Sequence, residues 1–340
     1  MSKKHIFWLA ELGQEHYEIV GKKCANLGEM AKIGLLIPPG FAVTVDAYTD
    51  FFIQTNALQE IQDYLSQLTE EFKNIQQFNQ ASKDIRQIVE SKEMPDAMKE
   101  LFLSYYDHLC LQCHCTDVAV STRSAGPASH PGQYETYLNV KGKKDLLKKI
   151  QKVWASSFNP RSLAFRKRKG LPLENDPIGV AVLKMVDARV AGIIFTADPN
   201  TGDTSRMIIE ANWGLGESVV GGESMPDVWI FNKESLEIVD KKLGTKSRFV
   251  ICKELGVAEE ECPADLSSTY CLNDEEVREV GKLGILLEKH FGVPQDVEWA
   301  IDRDIEFPKN IILLQTRADV IAQKKAPVDQ VLDLILRKWT

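Results

Sequence analysis

The sequence predicts a protein of mixed α/β (α+β) class built from two lobes. Its 340 residues exceed one average domain and suffice for two lobes with separate cores. Residues 57–115 show the spacing of several amphipathic helices, with Gln, Glu and Lys on their outer faces. After residue 178, short runs rich in β-branched residues follow one another closely, as strands do. We expect an N-terminal lobe over 1–185, a C-terminal lobe over 186–321, and a linker with a tail helix over 322–340.

Composition excludes several functional classes. Hydrophobic residues make up 44% and charged residues 26%, which is ordinary for a globular protein. The net charge of −8 argues against a nucleic-acid partner or an anionic membrane. No apolar run is long enough to span a membrane, and the N-terminus lacks the apolar core of a signal peptide. Seven cysteines without disulfide-type spacing indicate free thiols in a reducing cytoplasm.

The N-terminal lobe begins with a candidate phosphate site. Residues 20–33 predict a glycine-led turn and then a helix that stops at Gly34, and residues 41–45 predict a strand followed by a helix capped by Asp46. Backbone N–H groups at a helix start, with Lys23 beside them, suit phosphate oxygens. Short glycine-lysine matches are weak signals. A plain helix N-terminus with solvated lysines is therefore the alternative.

A second candidate lies where a strand beginning near residue 118 ends in Arg123. Small and hydroxyl residues follow the arginine, and the segment 132–136 ends in Thr136. Arginine presents a planar fork of donors that matches phosphate oxygens, and small residues let a backbone approach a ligand closely. The alternative is a surface loop with an incidental arginine.

The C-terminal lobe is predicted to be rich in strands, with one long helix over 273–291. A predicted strand over residues 178–186 ends at the boundary between the lobes, and the strands after it cover residues 189–196, 207–211, 228–231, 296–301 and 311–317. Residues 195–203 predict a tight turn between two of these strands. Glu210 then leads into a segment with four glycines between Gly214 and Gly222. Such a segment suits a loop that folds over phosphates, and it equally suits a flexible loop without a ligand.

The last two predicted strands hold the most informative polar pattern. Residues two apart in a strand share a face, so Asp296 and Glu298 lie on one side, and Gln315 and Arg317 do likewise. The turn at 307–310 would let the strands pair antiparallel, so that the polar faces meet. Mg²⁺ prefers carboxylate and other hard oxygen ligands. Glu298 and Gln315 are therefore candidate Mg²⁺ ligands, and Arg317 is a candidate phosphate ligand. A half-exposed hairpin with a salt bridge is the alternative.

One cluster of metal-capable residues is interpreted as structural. It comprises His108, Cys110, Cys113, His114 and Cys115. No second cluster with zinc spacing completes a site, and a helix end that leads into a buried strand explains buried thiols.

Taken together and in this order, these segments resemble the N-terminal ATP-binding domain of the pyruvate, phosphate dikinase and phosphoenolpyruvate synthase family, a domain that rifampin phosphotransferases share. The resemblance runs from about residue 20 to residue 317. Its most specific segments are FTADP (195–199), WGLGE (213–217), HFGVPQDVEWA (290–300) and LLQTR (313–317). The family implies an ATP-grasp fold with ATP and Mg²⁺ held between two lobes. It also implies transfer of ATP phosphates to a histidine on a separate swivelling domain.

The resemblance assigns roles residue by residue. It implies that Lys23, Arg123 and Arg317 are the catalytic cations that orient the phosphates, although Lys22 replaces the second glycine of the family's glycine-glycine-lysine turn. Glu298 and Gln315 match the metal positions. Leu183 replaces a frequent glutamine on the adenine side, and Lys184 follows it. The expected nucleotide-binding set is Lys23, Arg123, Thr136, Lys184, Glu210, Gly214, Gly216, Glu298, Gln315 and Arg317.

The 340 residues contain no segment that matches the family's threonine-serine-histidine motif, nor an acceptor domain. We therefore expect either a fragment or a partner subunit that carries the phosphohistidine and acceptor domains. Split enzymes of this kind include the phenylphosphate synthases, so phenol and pyruvate are both candidate acceptors, with AMP and phosphate as products. An ATP-grasp ligase that releases ADP and a non-catalytic nucleotide-binding regulatory subunit are the alternatives. An apolar stripe at 328–335 predicts either a docking surface for the partner or a helix packed on its own domain.

Overall fold

The computed structural model describes residues 4–68, 72, 74–126, 134–220 and 224–319. These residues divide into two compact units, one comprising 4–186 with 252–258 and the other 187–251 with 259–319. Both units combine helices with a sheet. The tail predicted over 322–340 lies outside the described residues, as do most of the segment between Arg123 and Thr136 and the glycines at 221 and 222.

The first unit is built on a five-stranded sheet in the order β1-β2-β5-β3-β4, and each neighbouring pair is antiparallel. Its strands are β1 (Ile6–Trp8), β2 (Gly40–Val43), β3 (Val120–Ala125), β4 (Thr136–Val140) and β5 (Gly179–Lys184). Its helices are α1 (Tyr17–Lys32), α2 (Val45–Gln54), α3 (Ala57–Ser66), α4 (Ile75–Ser91), α5 (Asp96–Gln112), α6 (Lys143–Ala155) and α7 (Pro160–Lys169).

Aromatic side chains fill the core of the first unit on one face of its sheet. Trp154 of α6 is fully buried and lies against Phe51 of α2, with ring centroids 5.0 Å apart. Val180 and Val182 of β5 belong to the same core. The side chain of Thr44 caps α2 by accepting the Ala47 N–H at 3.2 Å. The prediction that Asp46 caps this helix was therefore wrong by two residues, because the threonine oxygen reaches the unpaired N–H first.

The second unit is built on a six-stranded sheet in the order β13-β12-β6-β7-β8-β9, again with antiparallel neighbours. The strands are β6 (Ala188–Phe195), β7 (Arg206–Trp213), β8 (Asp227–Asn232), β9 (Glu237–Lys242), β12 (Gln295–Asp302) and β13 (Ile311–Ala318). A separate hairpin joins β10 (Arg248–Cys252) to β11 (Val257–Glu261), and two short helices are α8 (Glu217–Val220) and α9 (Ala264–Ser267).

The long helix α10 (Asp274–Phe291) packs on one face of this sheet. Asn273 caps its start, and Gly292 ends it with a φ of 72°. Two glycines let the helix lie close: a Cβ at Gly281 would approach the Phe231 ring to 2.8 Å, and one at Gly284 would approach the Met207 sulfur to 3.1 Å. The helix therefore buries the apolar face of the sheet and leaves the opposite face for polar side chains.

All seven cysteines lie within the described residues, and all seven are free thiols. Within the described part of the chain, every helix is too short or too polar to cross a membrane.

Candidate functional site

A kink at Gly21 brings the predicted phosphate turn to the end of β3. Gly21 interrupts α1 with a φ of 77° and a ψ of 157°. A Cβ at this position would lie 2.5 Å from the carbonyl carbon and oxygen of Ala125 and 2.8 Å from the nitrogen of Gly126. Only glycine fits such a close approach with a positive φ. Helix α1 therefore restarts at Lys22 and Lys23 directly against the backbone that follows Arg123.

Lys23 and Arg123, the cation pair of this site, act on one buried thiol. Burial raises the pKa of Cys24 to about 12, and the charges of Lys23 and Arg123 both oppose that rise. The two cations therefore lie in one neighbourhood. Thr136 of β4 lies directly opposite Arg123 of β3 in the antiparallel ladder. The structure thus brings together three residues of the expected nucleotide-binding set.

Lys184 is not brought to the cation pair. Alternation along β5 places it on the face of Val180 and Val182, which pack into the helical core, whereas Arg123 lies opposite Ala181. Lys184 pairs with Val120, three residues or about 10 Å along the strand from the Arg123 position. Its charge lowers the pKa of Cys113, which burial raises. Lys184 follows the predicted adenine-side position, so its contact with the nucleotide stays a prediction, while the pleat of β5 places it on the other face from Arg123.

In the second unit, strand register aligns the predicted metal ligands. Gln315 of β13 lies opposite Glu298 of β12, Glu298 lies opposite Ile193 of β6, and Ile193 lies opposite Glu210 of β7. Directly opposed residues share a face of the sheet. We call Gln315, Glu298, Ile193 and Glu210 the acidic row. Neighbouring strands lie about 4.8 Å apart, which separates the two glutamates of the row by about 10 Å. The predicted antiparallel pairing of the last two strands is confirmed.

The acidic row lies in an environment that disfavours negative charge. Burial raises the pKa of Glu210. Burial also raises the pKa of Asp296, Arg317 opposes this effect, and the charge of Glu298 adds to it. A divalent cation would relieve this concentration of carboxylates. The donors Glu298 and Gln315 therefore fit Mg²⁺, which takes hard oxygen ligands.

The described residues contain no group of three or more His, Cys, Asp or Glu side chains arranged to hold a metal ion. A metal on Glu298 and Gln315 would thus need further oxygens from its substrate. Mg²⁺ commonly binds through one or two carboxylates together with phosphate oxygens and water. Glu298 and Gln315 match this mode of binding, in which substrate oxygens and water complete the coordination of the ion.

Asp296 is a site residue that sequence reasoning left out of the binding set. It lies opposite Arg317 in the β12–β13 ladder, and its Oδ2 accepts hydrogen bonds from Nε of Arg317, at 2.8 Å, and from Nη2. The Arg317 side chain remains 46% exposed. The carboxylate therefore fixes one edge of the guanidinium while the rest can reach a ligand. The alternation that placed Asp296 beside Glu298 was the signal that could have identified it.

The glycine-rich segment, residues 212–220, reaches over the same sheet face. A Cβ at Gly216 would lie 3.5 Å from Cβ of Ala191, which shares a face with Ile193 of the acidic row. Gly214 has a different task. It has a φ of 69°, and its N–H donates to the carbonyl of Arg189 at 2.9 Å. Gly214 thus determines the path of the chain, whereas Gly216 lies against Ala191 on the sheet face that carries the acidic row.

The chain is similar to known proteins over nearly its whole length. The family model described as pyruvate phosphate dikinase, AMP/ATP-binding domain, matches residues 17–333. A probable phosphoenolpyruvate synthase of Methanocaldococcus jannaschii is 37% identical over 344 residues, which cover 99% of this chain and 29% of that protein. A probable phosphoenolpyruvate synthase of Staphylothermus marinus is 35% identical, covering 96% of this chain and 43% of that protein. The phosphoenolpyruvate synthase of Aeropyrum pernix is 33% identical with the same coverage. The chain therefore spans less than half the length of these relatives.

Proposed function

The chain belongs to the family of the pyruvate phosphate dikinase AMP/ATP-binding domain, and from that premise we propose that it is the ATP-binding subunit of a split dikinase with an ATP-grasp fold. It binds Mg²⁺-ATP and transfers ATP phosphates to a histidine on a partner subunit. The observation on which this proposal rests is the register of β12 and β13, which sets Glu298 opposite Gln315 and Asp296 opposite Arg317.

The proposed chemistry follows from the charges. Lys23, Arg123 and Arg317 orient the phosphate oxygens, because fixed cations stabilise the negative charge that develops during phosphoryl transfer. Mg²⁺ on Glu298 and Gln315 supplies further neutralisation of that charge. The partner's histidine nitrogen attacks the β-phosphorus in line, the bond from that phosphorus to the oxygen bridging the α and β phosphates breaks, and AMP leaves. Water then releases the terminal phosphate and leaves one phosphoryl group on the histidine for the acceptor. Over the whole cycle ATP, water and acceptor become AMP, phosphate and phosphorylated acceptor.

The acceptor is proposed to be a small molecule bound by the partner subunit. Two candidates follow from separate resemblances. The short segment between Arg123 and Thr136 resembles the phenylphosphate synthases, which would make phenol the acceptor. The curated relatives are named phosphoenolpyruvate synthases, which favours pyruvate. Both acceptors therefore belong in the test.

A product assay tests the proposal. ATP labelled in the β or γ phosphate is incubated with the chain alone, with the purified partner alone, and with both. We expect AMP and phosphate only from the mixture, together with acid-labile label on a partner histidine, and turnover when phenol or pyruvate is added. ADP formed by the chain alone would instead identify a ligase or simple kinase.

ATP binding by the isolated chain provides an independent test of the proposed Mg²⁺ ligands. Calorimetric titration of the isolated chain with ATP should give tighter binding with Mg²⁺ than with a chelator. Glu298→Gln should remove that difference, because the amide no longer neutralises the ion. Asp240→Asn, on the exposed edge strand β9, is the matched control and should preserve it. Equal metal dependence in both variants would contradict the assignment of Glu298.

A further inference from the structure

One stretch of chain contacts both flanks of the glycine-rich segment. At the first flank, the N–H of Leu215 donates to the carbonyl of Val250 at 2.8 Å. A Cβ at Gly214 would lie 2.3 Å from that same carbonyl oxygen. Nδ2 of Asn212 donates to the carbonyl of Arg248 at 2.9 Å. The first residues of β10 therefore fix the beginning of the glycine-rich segment.

The second flank, residues 224–227, meets the same stretch a few residues earlier. The N–H of Lys246 donates to the carbonyl of Met225 at 3.1 Å. A Cβ at Gly244 would lie 2.2 Å from the carbonyl oxygen of Met225 and 2.3 Å from that of Pro226. The two backbones thus touch at a distance that no side chain permits. We call residues 244–250 the clamp.

A fully buried ion pair fastens the clamp to the second flank. Nζ of Lys246 donates to Oδ1 of Asp227 at 2.6 Å, and neither side chain has any exposed surface. Asp227 also accepts the N–H of Gly244 at 2.8 Å and, through Oδ2, the N–H of Cys271 at 2.8 Å. One carboxylate therefore joins three points of the chain.

The Lys246–Asp227 ion pair is better explained by its effect on the path of the chain than by a contribution to stability. Replacing a buried ion pair with apolar residues is often neutral or stabilising, so such a pair is an inefficient source of stability. Lys246 also adopts a left-handed backbone conformation, with a φ of 40°, that a lysine rarely takes. Because its side chain is enclosed, Lys246 does not touch a ligand. Its contacts instead determine where the chain enters and leaves the glycine-rich segment.

We infer that the clamp is a positioning device for phosphate binding: by fixing both flanks, Asp227 and Lys246 hold the backbone of Gly216 against Ala191, on the sheet face that carries the acidic row. This inference rests on the proposed function, since it assumes that the ligand's phosphates lie on that face. A small displacement of a positioning backbone weakens binding of the group that it contacts and spares distant groups. Damage to the clamp should therefore weaken binding of ATP and leave binding of adenosine intact.

The test compares two clamp variants with a matched control. Lys246→Met removes the charge inside the clamp, and Gly244→Ala pushes its backbone away from Met225. Lys233→Met is the control, because Lys233 forms a half-buried ion pair with Glu288 at 2.7 Å and has no part in the clamp. Dissociation constants for Mg²⁺-ATP and for adenosine are measured by calorimetry, with thermal unfolding of each variant alongside.

The expected result is a change in the ratio of the two dissociation constants. In both clamp variants the ATP constant should rise about tenfold while the adenosine constant changes less than about twofold. Lys233→Met should lower the melting temperature and leave both constants unchanged. Should a clamp variant lose its cooperative unfolding transition, Asn212→Ala makes the same comparison at the first flank. It removes the bond from Nδ2 to the carbonyl of Arg248 together with the bond that Oδ1 accepts from the N–H of Trp213.

Two failures can be told apart. Unchanged ratios in folded clamp variants would overturn the positioning role and leave the proposed function untouched. Wild-type chain that binds neither ATP nor adenosine would contradict the proposed function itself. Equal weakening of ATP and adenosine would also overturn the inference, because it would show that the clamp supports the unit as a whole.

Discussion

The cation pair of the first unit and the acidic row of the second are assembled in different ways. Lys23 and Arg123 are a hundred residues apart, and both act on the Cys24 thiol because Gly21 packs against the backbone of Ala125. Glu298 and Gln315 meet because two strands joined by a short connection pair in one register. Register follows from a local period of two, whereas close backbone approach depends on the whole unit. The proximity of the cation pair therefore cannot be predicted from local sequence patterns, whereas the alignment of Glu298 with Gln315 can.

The two regions also differ in charge. Burial raises the pKa of the Cys24 thiol in the first unit, and the cations Lys23 and Arg123 oppose that rise. The carboxyls Glu210 and Asp296 of the second unit have raised pKa values, chiefly through burial. Cations suit phosphate oxygens, and crowded carboxylates suit a divalent ion. The following variants test that division, beginning with the largest effect that we expect.

Glu298→Ala should give the largest loss. Removing this carboxylate should lower formation of AMP by the chain and its partner about 10³-fold, because a metal ligand stabilises charge in the transition state. The same product assay on Asp240→Asn should show wild-type rates. Substantial activity in Glu298→Ala would mean that the acidic row does not hold the metal.

Gly21→Ala should affect both stability and binding. The added Cβ would meet the backbone of Ala125 at 2.5 Å, and the positive φ adds strain. We expect a loss of about 2–4 kcal/mol in the free energy of unfolding, since strain at such positions costs about 1–3 kcal/mol before any clash. ATP affinity should fall as well, because Lys23 shifts away from Arg123.

Gly34→Ala is the control for this comparison. Gly34 has a similar φ of 81°, yet a Cβ there would meet nothing within 4 Å. Urea unfolding should show only the strain of a left-handed residue, about 1–2 kcal/mol, with unchanged ATP affinity. Equal effects of the two variants would show that conformation, and not close approach, governs the Gly21 position.

Arg317→Ala should change the titration of Asp296. Burial already raises the pKa of Asp296, and Arg317 is the group that lowers it, so removing Arg317 should raise the pKa further. Glu298→Gln should lower it, because the charge of Glu298 raises it. Carboxyl carbon NMR titration measures both directions. A pKa of Asp296 that is unaffected by Arg317→Ala would contradict the Asp296–Arg317 pairing.

The same shift predicts how stability depends on pH. A carboxyl with a raised folded-state pKa stabilises the fold while protonated, below its unfolded pKa, and that contribution is lost as pH rises through the folded pKa. In Arg317→Ala the pKa of Asp296 is higher, so the loss of this stabilisation with rising pH is larger and extends to higher pH. Urea unfolding should therefore show a greater deficit relative to wild type at about pH 7 than at about pH 4.

Lys184→Ala should give the smallest effect on nucleotide binding. Its position on the other face of β5 from Arg123 predicts a change of less than about twofold in ATP affinity, since a screened charge about 10 Å away contributes little. Loss of Lys184 should instead raise the thiol pKa of Cys113 and Cys115, which its charge lowers. A large loss of ATP affinity would show that Lys184 contacts the nucleotide after all.

Much of the second unit could be predicted from local patterns. The helix over 273–291 was confirmed because Asn273 and Gly292 are strong start and stop signals. The edge strand β9 was missed, because its charged, mostly exposed residues show no alternation. In the first unit, helix α6 was not predicted, although the helical spacing of Leu146, Ile150 and Trp154 was a usable signal.

The sequence by itself determined the family, the mixed class, and the residues that share a face of β12 and β13, because periods of two and 3.6 are written into neighbouring residues. Only the tertiary structure decided that Gly21 meets Ala125, that the clamp grips both flanks of the glycine-rich segment, and that Lys184 lies away from Arg123. These contacts join residues far apart in the chain. They depend on how whole elements pack, which no local pattern encodes.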